Sequence, residues 1–151
     1  SMTARCFVDT NVVVYATDGS EPAKWERASR IMQAVWASRT ATLSTQVLQE
    51  LYAVTTRGQA PMLTREDAEE VVRELGSLRV VGIDVQTVCA AVARARRRRM
   101  SIWDALIVQS AVESACTVLL TEDLTHGEEI DGVRVVDPFQ GDEQEVLALF
   151  A

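Results

Sequence analysis

Short runs of β-favouring apolar residues alternate along this chain with longer stretches of helical periodicity, and no other feature restricts the fold so tightly. The runs are Arg5–Val8, Ala41–Leu43, Arg79–Ile83, Thr117–Leu120 and Val133–Val136. Strands separated by helices pair in parallel, because a parallel pair needs a crossover between its members. Between the runs, Val12–Ala16 reads as a short helical turn. Gly19-Ser20-Glu21-Pro22 is a turn that puts Pro22 at the first position of a helix reaching Ser38. A helix over Thr45–Thr56 is followed by the breaker stretch Gly58–Pro61. Thr64-Arg65-Glu66-Asp67, a variant of the capping box, opens another helix, with Ala68, Val71, Val72 and Leu75 on one face. Asp84 is placed to cap the next, whose Val85, Val88, Val92 and Ala95 are expected to be buried. Ser101 starts a further helix. The expected fold is α/β: one domain over residues 2–151, a parallel sheet with helices on both faces, Ser1 being set aside as a cloning remnant.

Of the 151 residues, 48% are hydrophobic, enough for one core without a disulfide or structural metal. Cys6, Cys89 and Cys116 are odd in number, far apart and set among apolar neighbours, so buried reduced thiols are expected. No C-x-x-C pair is present, which argues against zinc and redox motifs. No apolar run approaches the roughly 18–20 residues of a membrane span, and the start lacks a secretory pattern. A cytoplasmic protein with no membrane partner is expected. His126 is the only histidine and lies beside Gly127 in a polar stretch, without a nucleophile elbow or H-E-x-x-H. It reads as a loop histidine, which disfavours Ser–His and zinc-dependent hydrolysis.

The net charge of −7 argues against a surface that binds nucleic acid everywhere. A local patch remains open. Arg94 and Arg96–Arg99 form a basic run, of which Arg97, Arg98 and Arg99 are the candidates for RNA phosphate contacts. The competing reading is a solvated helix end favoured by the helix dipole. Trp25, Trp36 and Trp103 could stack bases or serve packing.

The acids carry the chemistry. In open parallel sheets ligands gather outside the carboxyl ends of the strands. Asp9 directly follows Cys6-Phe7-Val8, and Thr121-Glu122-Asp123 directly follow Val118-Leu119-Leu120. Parallel pairing would bring both to one sheet edge; otherwise Asp9 merely caps a helix and Asp123 is a turn residue. Asp104 lies on a helix buried around most of its circumference, sharing its side with Val108, Ala111 and Ala115. A carboxylate there is costly without a cation or donors, although Ser101-Ile102-Trp103-Asp104 also fits a capping box. Glu50 lies at the edge of an apolar arc of Val47, Leu48, Leu51 and Val54 and could point along the same edge or into solvent. Two carboxylates about 4 Å apart repel by roughly 4 kcal/mol at an effective dielectric of about 20. Four in one cleft would take up protons or recruit a cation. Hard oxygen donors without histidine or thiolate favour Mg²⁺ or Mn²⁺, and with them phosphoryl chemistry.

Phe7-Val8-Asp9-Thr10-Asn11-Val12 and Leu43-Ser44-Thr45-Gln46-Val47-Leu48-Gln49-Glu50-Leu51 resemble the first two motifs of PIN domains. Ser101-Ile102-Trp103-Asp104-Ala105-Leu106-Ile107 resembles the third, and Leu120-Thr121-Glu122-Asp123-Leu124 the fourth. Val135-Val136-Asp137-Pro138-Phe139 is similar to the end of the bacterial VapC toxin branch. The resemblance spans nearly the whole chain, with the motifs in the family's order. It implies a Mg²⁺- or Mn²⁺-dependent endoribonuclease, the toxin of a VapBC-type toxin–antitoxin pair. Asp9 and Asp104 would then be metal ligands, Glu50 would complete the site or orient water, and Asp123 would hold or support a second metal. Glu122 could share that last role. Thr10, Asn11 and Thr121 would be hydrogen-bond partners of these acids. A homodimer silenced by a cognate antitoxin is implied as well. The alternatives are a PIN nuclease of RNA processing, a phosphatase with Asp9 as nucleophile, and a binding module without catalysis. Asn11, where such phosphatases commonly carry a second acid, disfavours the phosphatase.

Overall fold

The computed structural model describes residues 5–151; the reading of Ser1 concerns residues outside that range. Among the described residues six strands form one sheet: β1 (Cys6–Val8), β2 (Thr42–Ser44), β3 (Arg79–Val81), β4 (Val118–Leu120), β5 (Glu129–Ile130) and β6 (Val133–Val136), in the order β3-β2-β1-β4-β6-β5. All pairings are parallel except β5 with β6. The strand order reverses between β1 and β4, creating the crevice where ligands of such sheets settle. Around it lie α1 (Thr10–Thr17), α2 (Pro22–Ser38), α3 (Thr45–Thr56), α4 (Arg65–Leu75), α5 (Val85–Arg98), α6 (Ile102–Glu113) and α7 (Glu143–Ala148).

The expected α/β architecture holds, and its local causes are visible. Every residue of β1, β2 and β4 is buried, as fits inner parallel strands covered on both faces. The side chains of Thr64, Asp84 and Ser101 accept the backbone N–H groups of Asp67, Thr87 and Asp104, capping α4, α5 and α6. Two elements go beyond the sequence reading. The two-residue β5 turns into β6 through Asp131-Gly132, both at positive φ (49° and 85°), as a tight hairpin turn requires. The six-residue α7 is capped by Asp142. Helix α1 also begins at Thr10, two residues earlier than the apolar pattern indicates, because Asp9 caps it.

Helix α5 corrects the sequence reading. Val85, Val88 and Val92 are 77%, 40% and 53% exposed, whereas Thr87, Ala91 and Arg94 are buried. Only Ala95 packs inward as expected, against a small cluster of Ala91, Ala105 and Leu106. Polar pairing turns the helix this way. Arg94 reaches Gln109 on α6 and Asp131 in the hairpin turn, at 2.9 Å to the latter, while Thr87 hydroxyl bonds Glu113 at 2.8 Å. With Thr87, Ala91 and Arg94 on the inner side, the three valines fall on the outer side of the helix. Cys6 and Cys116 are buried free thiols, but Cys89 is exposed on the same outward face. Trp25 and Trp103 are also exposed, so neither is a core residue. No helix among the described residues is long and apolar enough to cross a membrane.

Candidate metal centre

The register of the two central strands builds the site. Val8 pairs with Leu120, so Asp9 and Thr121 emerge side by side at the carboxyl edge, and the Asp9 N–H donates to the Leu120 carbonyl at 3.0 Å. Asp9 is 4% exposed. One of its oxygens accepts the Thr10 N–H at 2.7 Å, and the other accepts the Thr121 hydroxyl at 2.8 Å. The Asn11 amide donates to Asp123 at 3.1 Å, to Thr121 at 3.2 Å and more weakly to Asp9 at 3.4 Å. Its carbonyl faces the Glu122 N–H at 3.4 Å. Thr121 in turn accepts the Asp123 N–H at 3.1 Å. The Asx cap at Asp9 and the turn at Asp123, alternatives on sequence grounds, are therefore parts of one network.

Glu50 approaches from α3. Its carboxylate accepts the Thr10 hydroxyl at 3.4 Å and the Gln46 amide at 2.5 Å. Asp104 sits in the first turn of α6, half-buried, with Val108 and Ala111 buried along the same side as expected. Ala115 lies beyond the end of that helix, exposed and at φ 59°. The capping bond runs from the Asp104 N–H to the Ser101 hydroxyl. Thr10, Asn11, Glu50, Glu122 and Asp123 all line a cleft of about 430 Å³, with Arg57 at its wall.

Electrostatics tie the four acids together. Burial pushes the Asp9 carboxyl up to about 7; hydrogen bonds from Thr121 and Thr10 pull it back, and the charges of Asp123 and Glu50 raise it again. The Asp104 carboxyl is likewise raised, first by burial and then by Asp123. Among the described residues no Lys or Arg forms an ion pair with Asp9, Glu50, Asp104 or Asp123. Also among the described residues, no three acid, histidine or cysteine side chains are already gathered tightly enough to hold an ion. The set nonetheless fits a hard cation in its chemistry: oxygen donors throughout, and negative charge without a basic partner among the described residues.

Glu122 lines the same cleft but is already paired. It pairs with Lys24 at 2.9 Å, and the Lys24 ammonium lies over the rings of Tyr15 and Phe139. That bond to Glu122 holds the Lys24 ammonium above the ordinary lysine range. The arginine run is not a single free patch. Arg94 is buried, Arg97 and Arg98 both face Asp131 at 3.7 Å, and Arg98 also faces Glu128 at 4.0 Å. Arg99, the left-handed C-cap of α5, is exposed. His126 accepts the Asp137 N–H at 3.0 Å through Nδ1, a structural role in its loop. Sequence reasoning missed Gln46. A polar residue one turn before Glu50, on the side of α3 that carries Val47 and Leu51, was the available signal.

A mostly parallel sheet with the buried Asp9 and the neighbouring Asp123 at its switch point defines a class of α/β protein. Within that class the PIN-domain family model matches residues 6–128, and the chain belongs to the PIN-domain family. No curated protein sequence matches it. Solved structures share the fold at low identity. A toxin–antitoxin complex from Klebsiella pneumoniae is 18% identical over 88% of this chain and 97% of that one, with a TM-score of 0.64. VapBC2 from Rickettsia felis, solved bound to a DNA fragment from its promoter, is 16% identical over 86% and 96%, with a TM-score of 0.59. Mycobacterium tuberculosis VapC20, described as a toxin cleaving the sarcin-ricin loop, is 20% identical over 78% and 89%, with a TM-score of 0.58.

Proposed function

We propose that this protein is a Mg²⁺- or Mn²⁺-dependent endoribonuclease, the toxin of a VapBC-type pair, acting in the cytoplasm and silenced by a cognate antitoxin. One observation carries the reading: strand register brings Asp9 beside Thr121 and Asp123, and no basic side chain among the described residues pairs with these acids. Family membership supports nuclease chemistry, and the toxin–antitoxin structures of like fold support the biological setting.

Asp9, Glu50, Asp104 and Asp123 would hold the metal. A bound Mg²⁺ or Mn²⁺ supplies an acidified water and stabilises charge on a phosphodiester. The chain's own residues do the rest. Thr121 and Thr10 fix both oxygens of Asp9, and Asn11 spaces Asp9 from Asp123 with one amide. The bond of Glu122 to Lys24 argues against a place for Glu122 in the ligand set. The phosphatase alternative loses ground because Asn11, where such enzymes commonly carry a second acid, serves as an amide donor to Asp123 and Asp9. The exposed row of Val85, Val88 and Val92 supports a homodimer through α5.

Incubation of the purified protein with total RNA, with and without Mn²⁺, and mapping of the cut ends tests the reading. Cleavage is expected only with metal, and Asp9→Asn or Asp104→Asn should abolish it. Full cleavage in both variants, or in excess chelator, refutes it.

A further inference from the structure

Gln46 is 4% exposed, on the side of α3 that buries Val47 and Leu51. Its amide nitrogen donates to the Glu50 carboxylate at 2.5 Å and to the main-chain carbonyl of Trp103 at 3.1 Å. Both targets are acceptors, so the amide has one good orientation: reversed, its oxygen would face two oxygens. In the orientation adopted, Oε1 is buried and has no partner. An interior acceptor left unpaired opposes stability. Packing alone would be better served here by Leu or Met.

What Gln46 does secure is geometry. Trp103 immediately precedes Asp104 in the first turn of α6. One side chain therefore joins the backbone that carries Asp104 to the carboxylate of Glu50, across 57 residues of chain. The opposite oxygen of Glu50 accepts the Thr10 hydroxyl beside Asp9. We infer that Gln46 is a positioning residue of the acidic centre, aiming the Glu50 carboxylate and setting the spacing between α3 and the first turn of α6. This inference rests on the metal-binding reading of the four acids. Groups that orient metal ligands commonly change metal affinity by about 10–100-fold when removed.

A purely structural bond between two helices and a positioning bond make opposite demands on Gln46→Met, which keeps the volume and removes both donors. The test is calorimetric titration of the metal-free full chain with Mn²⁺, together with its thermal midpoint without metal, for wild type, Gln46→Met and Gln46→Asn. The expected result is a metal-free midpoint equal to or above wild type in Gln46→Met and a Mn²⁺ affinity about 10–100-fold weaker. Mn²⁺ binding by the wild type with unchanged affinity in Gln46→Met overturns the role of Gln46 and leaves the metal centre standing. A wild type that binds no Mn²⁺ overturns the metal reading itself, and the inference with it. If Gln46→Met shows no cooperative unfolding, Gln46→Asn decides. Its amide is one methylene too short to span the pair; weakened affinity supports the inference and unchanged affinity overturns it.

Discussion

Asp9→Asn is the most informative single change, because Asp9 opposes the fold whenever it is ionised without a counter-charge. In the unfolded chain its carboxyl titrates near 3.8, and in the folded protein near 7. The folded state therefore holds the proton more tightly. Below the lower value both states are protonated and Asp9 costs nothing; as pH rises through the interval stability is lost, and above the upper value the loss levels off. A separation of about three pH units at about 1.4 kcal/mol each sets the full loss at roughly 4 kcal/mol. Asn cannot ionise, but its amide would place a donor against the Thr121 hydroxyl or Asn11, costing about 1 kcal/mol. In urea titrations with chelator present, the variant should be more stable than wild type by about 3 kcal/mol near pH 8.5 and within about 1 kcal/mol near pH 5. Mn²⁺ should then reverse the order near neutral pH once it is in large excess: at about 1,000 times its Kd a ligand adds roughly 4.1 kcal/mol to the wild type, and nothing to a variant that cannot bind it. Parallel stability curves for the two proteins across the whole pH range would refute the reasoning, for then burial does not strain the Asp9 carboxylate.

Arg94→Met should destabilise the fold by about 2–3 kcal/mol in urea unfolding, below the usual cost of breaking a buried pair because Asp131 stays partly solvated and keeps Arg97 and Arg98 nearby. Arg99→Ala should leave stability within about 0.5 kcal/mol and, if this exposed end meets RNA, lower the slope of log affinity against log salt by about one phosphate contact; an unchanged slope would return Arg99 to the role of helix cap. Val88→Glu, on the outward face of α5, should shift sedimentation from dimer to monomer with the fold intact, and a wild type already monomeric at tens of micromolar would remove that face as an interface.

The strand-end acids were legible because an acid at or just past the end of an apolar run needs little context: Asp9 directly after Val8 and Asp123 three positions after Leu120 reach the same edge once β1 and β4 pair in register. Glu50 and Asp104 were legible as residue types, but their approach depends on how α3 and α6 lean on the sheet, which local periodicity does not encode. Helix α5 misled because hydropathy ranks Val85, Val88 and Val92 above Thr87 and Arg94. The burial of Arg94 is decided by Asp131, 37 residues away, a partner no window of sequence contains. The diversion of Glu122 to Lys24, 98 residues distant, was hidden for the same reason. Strand β5 has only two residues, too few for a period to register.

The strand order pairs Asp9 with an anchoring threonine 112 positions further along the chain. A ribosome that has released the chain only as far as α6 has already delivered Asp9, Glu50 and Asp104, yet the segment that locks the first of them has not been made. Such long-separation pairing comes late in folding. On the function proposed above, nascent and prematurely terminated products that lack β4 should accordingly be inert towards RNA, and cleavage would begin only once Thr121 has been made and paired.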